Sequence, residues 1–291
     1  MFSEPDVRQL VTAVLAELLA EDKAAPSAAV APDAVLVEDG QVPDVTAVST
    51  KDEFHVPNPA NREAYLDVKQ KTVARLGVWR AGPRYNTWSM LHFRADHATA
   101  QDAVFSDVDD AYVQAQGFVA GQTVCQSKDE FLTRPDLGRR LNDETKERFA
   151  RELPRGAKVT LMVGDGLSSS AQVNVPDLLP AIKQGLAGLG ISLGPVPYVK
   201  YCRVGAMDEL GALIDSEVVC LLIGERPGLA TGESMSAYMA YRPDPDKPES
   251  WRTVVSNIYS GGTGPAEAGA HIATLLKRIL DEKVSGVGLV L

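Results

Sequence analysis

An α/β fold, with a mostly parallel sheet carrying helices on both faces and a largely helical region before it, is predicted by two features of the sequence. From Lys158 onward, β-rich apolar runs alternate with amphipathic stretches, and glycine-bearing turns close the runs. Such alternation makes consecutive strands parallel, because each crossover helix carries the chain back across the sheet. "KVTLMVGDG" is the first strand, ending at Gly164-Asp165-Gly166, and a helix over Leu178–Leu189 closes at Gly190. "PYVKYCRVG" is the second, followed by a helix over Met207–Ile214. "VVCLLIGERPG" and "RTVVSNIYSGG" are the third and fourth, and a helix over Ala266–Lys283 leads to a final "GVGLVL". Upstream, residues 57–150 read as mostly helical, with turns at Pro57-Asn58-Pro59 and Ala81-Gly82-Pro83. The expected units are therefore a helical region over 51–150 and a Rossmann-like sheet domain over 151–291.

The first residues form a separate signal. Ser3 with Asp6 three later resembles a capping box, and Pro5 suits a first helical turn. Val7, Leu10, Val11, Val14 and Leu18 then share one helical face, which predicts an amphipathic helix within 1–22. Residues 23–50, rich in Ala, Val, Pro and Asp without a period, read as a flexible linker. A short helix on a tether is either a frayed terminal helix or a docking peptide for a partner's groove.

Composition narrows the function. The net charge of −10 speaks against a nucleic-acid partner, since neutralising phosphates needs a basic surface. Apolar runs such as Val218–Ile223 are too short to cross a membrane, and the N-terminus lacks a secretory signal's basic start and apolar core. Cys125, Cys202 and Cys220 lie far apart without CxxC spacing; they read as reduced thiols of a cytosolic protein, the latter two inside strands. Five cations and no acid fall between Lys69 and Arg84, either a solvated basic face or a surface for an acidic partner subunit. "LTRPDLGRR" (Leu132–Arg140) is a structural turn or a subunit contact.

In parallel sheets ligands sit at the carboxyl ends of the strands, near a topological switch point. Here those ends are Gly164–Ser170, Arg203–Gly205, Gly224–Gly232 and Ser256–Gly264, all glycine-bearing. A phosphate loop is missing its lysine, and Glu225 and Glu233 would repel an anion. Gly164-Asp165-Gly166 is half a dinucleotide fingerprint, with Ser169 in its last place. Gly232-Glu233-Ser234-Met235-Ser236 fails the nucleophile elbow because it ends in serine. Ser168, Ser169 and Ser170 are expected to cap the structure that follows. His55, His92, His97 and His271 make no close-spaced ligand set, and His97 and His271 read as helical surface. Two readings stay open for the glycines flanked by Glu225, Arg226, Ser256 and Asn257. They are tight turns with Glu225 and Arg226 paired to neighbours, or they rim a large cofactor whose amide groups Glu225 accepts.

"LLIGERPGLATGESMSAYMAYRP" and "RTVVSNIYSGGTGPAEAGAHIA" resemble the small subunit of ethanolamine ammonia-lyases. The likeness continues in "ARLGVWRAGPR", "LHFRADHATAQDAV", "FLTRPDLGRR", "VGDGLSSSA" and "DEKVSGVGL", covering about residues 60–290 in order. The resemblance implies a lyase that uses adenosylcobalamin to turn ethanolamine into acetaldehyde and ammonia by radical rearrangement. Substrate binding and radical chemistry would belong to a large subunit, a separate TIM-barrel chain. This chain would complete the cobalamin pocket, with no catalytic residue of its own. The family's cofactor contacts carry over to Val204, Glu225 and Val254, making Leu221–Tyr238 part of a cobalamin rim. Tyr259 stands where the family commonly has histidine, and no D-x-H-x-x-G motif is present, so the base-on form is expected. The resemblance makes 51–150 the subunit-contact region. It also makes 1–22 an encapsulation peptide, placing the enzyme in the bacterial cytoplasm inside a microcompartment whose shell is a further partner. The competing readings are a non-catalytic scaffold with this fold and no cofactor, and a free-standing Rossmann-type enzyme.

Overall fold

Six strands share one sheet in the order β3-β5-β4-β6-β7-β8: β3 (Val119–Gln122), β4 (Val159–Gly164), β5 (Pro197–Lys200), β6 (Val218–Gly224), β7 (Met235–Tyr241) and β8 (Thr253–Ile258). The computed structural model describes residues 44–290 except 46 and 48, and the helix expected within 1–22 and most of the linker lie outside them. β3, β5, β4 and β6 pair in parallel, while β7 runs antiparallel to both β6 and β8. The mostly parallel α/β class is as predicted.

Every residue of β4 and β6 is buried, which is why these strands read as unbroken apolar runs rather than alternating ones. Successive side chains still face opposite ways. Leu161, Val163, Cys220 and Leu222 join one cluster with residues of α6 (Val175–Gly188) and α8 (Pro265–Glu282). Met162, Val199, Val219 and Leu221 join another with residues of α7 (Ala206–Ile214) and α5 (Asp143–Glu152). Ile182, Leu186, Ile272, Leu276 and Ile279 are fully buried, as are Met207, Leu210 and Phe149. Helices thus cover both faces.

Two strands of this sheet were not expected. β3 comes from the stretch read as helical. It fits against α5 because Gly121 has no side chain; a Cβ there would overlap Thr145 and Phe149. β7, "MSAYMAY", pairs along the whole of β6 and turns that strand from an edge into the sheet interior. Cys220 lies in β6 as expected, whereas Cys202 sits two residues beyond β5; all three thiols are buried and unpaired.

The region before β3 contributes α1 (Arg62–Gln70), a small hairpin of β1 (Arg80–Ala81) and β2 (Arg84–Tyr85), α2 (Thr87–Phe105) and α3 (Asp110–Ala115). α4 (Lys128–Thr133) follows β3. The basic stretch is largely satisfied within the chain: Lys69 donates to the Glu53 carbonyl, Lys71 pairs with Asp67, and Arg75 with Asp96.

From β4 the chain crosses through α6 to β5 on one side, then through α7 to β6 on the other side of β4. The carboxyl ends of β4 and β6 therefore flank a reversal of strand order, the place where this class of sheet receives ligands.

Candidate functional site

At that reversal the main chain fills the space itself. A Cβ on Gly224 would run into the carbonyl oxygen of Ser168, and one on Gly166 would come within 2.6 Å of the Gly224 oxygen. A Cβ on Gly164 would lie 2.9 Å from Cys202 Sγ. Of the two readings left open for the strand-end glycines, these three follow the tight-turn one: they let the strand-end loops touch. Ser168 and Ser169 do not cap the next helix; their hydroxyls tie this loop to the carbonyls of Gly232 and Ala103.

Glu225 follows the last residue of β6 and stands on the rim of that sealed floor. Its Oε2 accepts from Ser234 Oγ at 2.8 Å, and its Oε1 accepts from Ser236 Oγ and, at 3.2 Å, from the Asn257 N–H. The serines are available because the chain doubles back as β7. Asn257 reaches Glu225 because β8 carries a bulge opposite Ser236, where Asn257 adopts a left-handed backbone (φ +61°) that asparagine tolerates. Burial pushes the Glu225 carboxyl up, but the hydrogen bonds from Ser236, Ser234 and Asn257 together outweigh it and hold the group below its ordinary value. Removing the first of these, in Ser236→Ala, is expected to raise that pKa, measurable as a titration of the Glu225 carboxyl by ¹³C NMR. An unchanged titration would mean that the serine contributes nothing to the charge state.

From Arg226, the residue after Glu225, an open cleft of about 440 Å³ begins, lined by His97 and Phe105 of α2, Leu167, Arg203 and the 226–229 arch. Arg203 is held in place: its Nη2 donates to the Phe131 carbonyl at 2.9 Å, and its guanidinium lies 4.4 Å from the Phe131 ring centre. Its Nε is buried and has no hydrogen-bond partner among the described residues. Burial pushes the Arg203 pKa down, and the guanidinium groups of Arg139 and Arg226 add to that. "LTRPDLGRR" supports this arginine, since Gly138 accepts from the Arg203 N–H and a Cβ at Gly138 would press on the Arg203 stem.

A family model for the ethanolamine ammonia-lyase light chain (EutC) matches residues 62–290. The chain belongs to that family. It is 49% identical over 292 residues to the ethanolamine ammonia-lyase small subunit of Listeria monocytogenes serovar 1/2a, with 99% of each chain covered. Against the small subunit of Clostridium perfringens it is 55% identical over 249 residues, covering 85% of this chain and 84% of that one. The Clostridioides difficile small subunit is 49% identical over 291 residues, 99% of each.

Set on this light-chain scaffold, the three expected contact residues are spread along the sheet. Glu225 is at the switch point. Val204 is half-buried just before α7, four residues beyond β5, and packs against the cluster on the α5–α7 face. Val254 lies on the outer strand β8, paired with Tyr238 and 44% exposed, three residues before Asn257. A strand rises about 3.3 Å per residue, so Val254 stands roughly 10 Å along the sheet from the Glu225 cluster. It addresses the open α5–α7 face rather than the strand ends.

Sequence reasoning weighed Ser234 only as a nucleophile and Ser236 only as the residue that breaks that motif, missing both as partners of Glu225. Their signal was the "MSAYMAY" run, whose position directly after a turn marks a returning strand. The histidines divide as expected in part: His97 and His271 are exposed, while His92 is buried 3.4 Å from Glu53. Among the described residues no group of three or more His, Cys, Asp or Glu could hold a metal ion, and no helix is long and apolar enough to cross a membrane.

Proposed function

We propose that this chain is the small subunit of an adenosylcobalamin-dependent ethanolamine ammonia-lyase, a Rossmann-like layer that completes the cobalamin pocket against a catalytic large subunit. The observation that carries the reading beyond family membership is the Glu225 cluster. An ionised carboxylate offers about four acceptor sites, and Ser234, Ser236 and Asn257 fill three, leaving one for an outside donor. A peripheral amide NH₂ of cobalamin has that chemistry. The site residues fit the group: a rigid acceptor at the switch point, an unpaired guanidinium N–H beside it, and an exposed Val254 offering shape without charge.

When bound, the cofactor supplies a carbon-centred radical by cleavage of its cobalt–carbon bond. The residues of this chain hold and enclose: Glu225 orients an amide, Val204 and Val254 cover apolar edge, and the closed floor between β4 and β6 keeps water from entering from below. The chain has no D-x-H-x-x-G motif, so this reading keeps the cofactor's own base on the cobalt.

The test is aldehyde release from ethanolamine and adenosylcobalamin by this chain, the large subunit, and the mixture. Activity in the mixture alone supports the proposal; equal activity of the large subunit by itself would reduce this chain to a scaffold.

The N-terminal segment extends the reading to location: residues 1–22, on their linker, dock the enzyme to a microcompartment shell. Deleting residues 1–45 is expected to leave turnover in the mixture unchanged and to abolish co-localisation with shell proteins. Lost turnover would instead make the segment part of the working fold.

A further inference from the structure

We propose that Arg203 and Arg226 form a seat for the phosphate of the cobalamin nucleotide loop, which is the one anionic group of that cofactor. This rests on the cobalamin reading above and assigns a second polar contact to the same pocket.

The cleft beside Glu225 is unusual in charge for a chain of net charge −10: its ionisable lining residues are His97, Arg203 and Arg226, with no carboxylate. Two arginines without a carboxylate in the same lining favour an anion there. Arg226 has no hydrogen-bond or ion-pair partner among the described residues, and it follows Glu225 directly, so the rim carries an acceptor and a donor side by side. Arg203 is the stronger half. The Phe131 carbonyl and ring fix its guanidinium, so little conformational freedom remains to be lost on binding. Upstream of it, Tyr201 takes a left-handed backbone (φ +56°), and the Cys202 and Arg203 N–H groups donate to the carbonyls of Asp165 and Gly138 at 2.8 Å each. The side chain is therefore delivered by a turn anchored at both ends. Its guanidinium lines the cleft together with Arg226 and carries N–H groups beyond the one given to the Phe131 carbonyl. Guanidinium groups meet phosphate through parallel N–H···O bonds, and two of them flanking one cleft suit a phosphodiester.

The surrounding wall fits the rest of such a ligand. Phe105, Leu167, Pro227 and Leu229 provide apolar surface for a flat heteroaromatic base and its sugar. Glu225 would repel a phosphate placed on it, so amide and phosphate must occupy different parts of the rim. Glu225 turned into its serine cluster and Arg203 turned toward Phe131 provide that division.

The experiment compares three corrinoids on the cofactor-depleted complex with the large subunit: cobalamin, cobinamide phosphate, and cobinamide, which keeps the amide side chains but has no phosphate. Binding is read by equilibrium dialysis and corrin absorbance, without turnover. Arg203→Gln and Arg226→Gln are each expected to weaken cobalamin and cobinamide phosphate by roughly ten- to a hundredfold, and to leave cobinamide unchanged. Arg226 is exposed, so its variant tests the seat even where Arg203→Gln disturbs the Phe131 contact. If all three ligands weaken alike, or none does, the seat is overturned. Loss of complex formation by gel filtration would also overturn it, assigning the arginines to subunit docking. If the wild-type complex takes up no corrinoid, the cobalamin reading itself falls, and this seat with it.

Discussion

Asp165→Asn is expected to stabilise the chain above neutral pH, by as much as about 3 kcal/mol, and to remove a pH dependence that the wild-type chain shows in mild acid. Asp165 sits in the Gly164–Gly166 loop with no solvent exposure, and neither carboxylate oxygen has a hydrogen-bond partner among the described residues. Burial pushes its pKa from 3.8 up to about 6, against the attraction of Lys128 and Lys200, while Asp107 adds to the rise. The folded value lies above the unfolded one, so the favourable contribution is complete below about 3.8 and is lost as pH rises through about 6. A shift of about two units at about 1.4 kcal/mol each gives the figure, an upper bound because interiors relax around a buried charge. Unfolding midpoints of both proteins across that range would test it. A variant less stable than wild type at neutral pH would mean that the carboxylate is satisfied in solution, for instance by an internal water.

Glu225→Ala is expected to weaken cofactor retention in the assembled complex by about 1–3 kcal/mol, the usual cost of leaving buried partners without their acceptor. The loss has two parts. On the proposed cobalamin reading the cofactor amide loses its acceptor, and Ser234, Ser236 and the Asn257 N–H lose the group that ordered them. Glu225→Gln separates these, because it keeps an acceptor oxygen while discarding the charge. Retention between the two extremes is the expected outcome, and an alanine variant with wild-type affinity would remove Glu225 from the pocket.

The sheet was readable because its central strands are buried on both faces. Residues 159–164 and 218–224 are continuous apolar text, and nothing else in the chain competes with that assignment. β7 was hidden because its alternation of Met and Ala with Ser and Tyr is weak, and its identity comes from pairing with β6 rather than from its own pattern. β3 was hidden by its length of four residues and by Gly121, a poor strand former that matters only because α5 presses on it. Within the site, Glu225 was legible as an acid among glycines. The serines that bind it, the bulge that turns Asn257 toward it, and the Phe131 stack that sets Arg203 are contacts between residues nine to seventy-two positions apart. No local pattern encodes such separations. The glycines left two readings open for a related reason: sequence shows that a position is bare, not what comes to occupy the space.

That occupation by main chain also fixes where the protein is free to change. A side chain of any size at 166 or 224 would wedge two backbone segments apart and disturb every strand end around them, so those positions offer selection almost no viable alternatives. The arch beside them is the opposite case: Gly228 faces open space, and Arg226 is exposed. Altered ligand preference in descendants of this chain would therefore arise by substitution along residues 226–229, one change at a time, over a floor that stays the same.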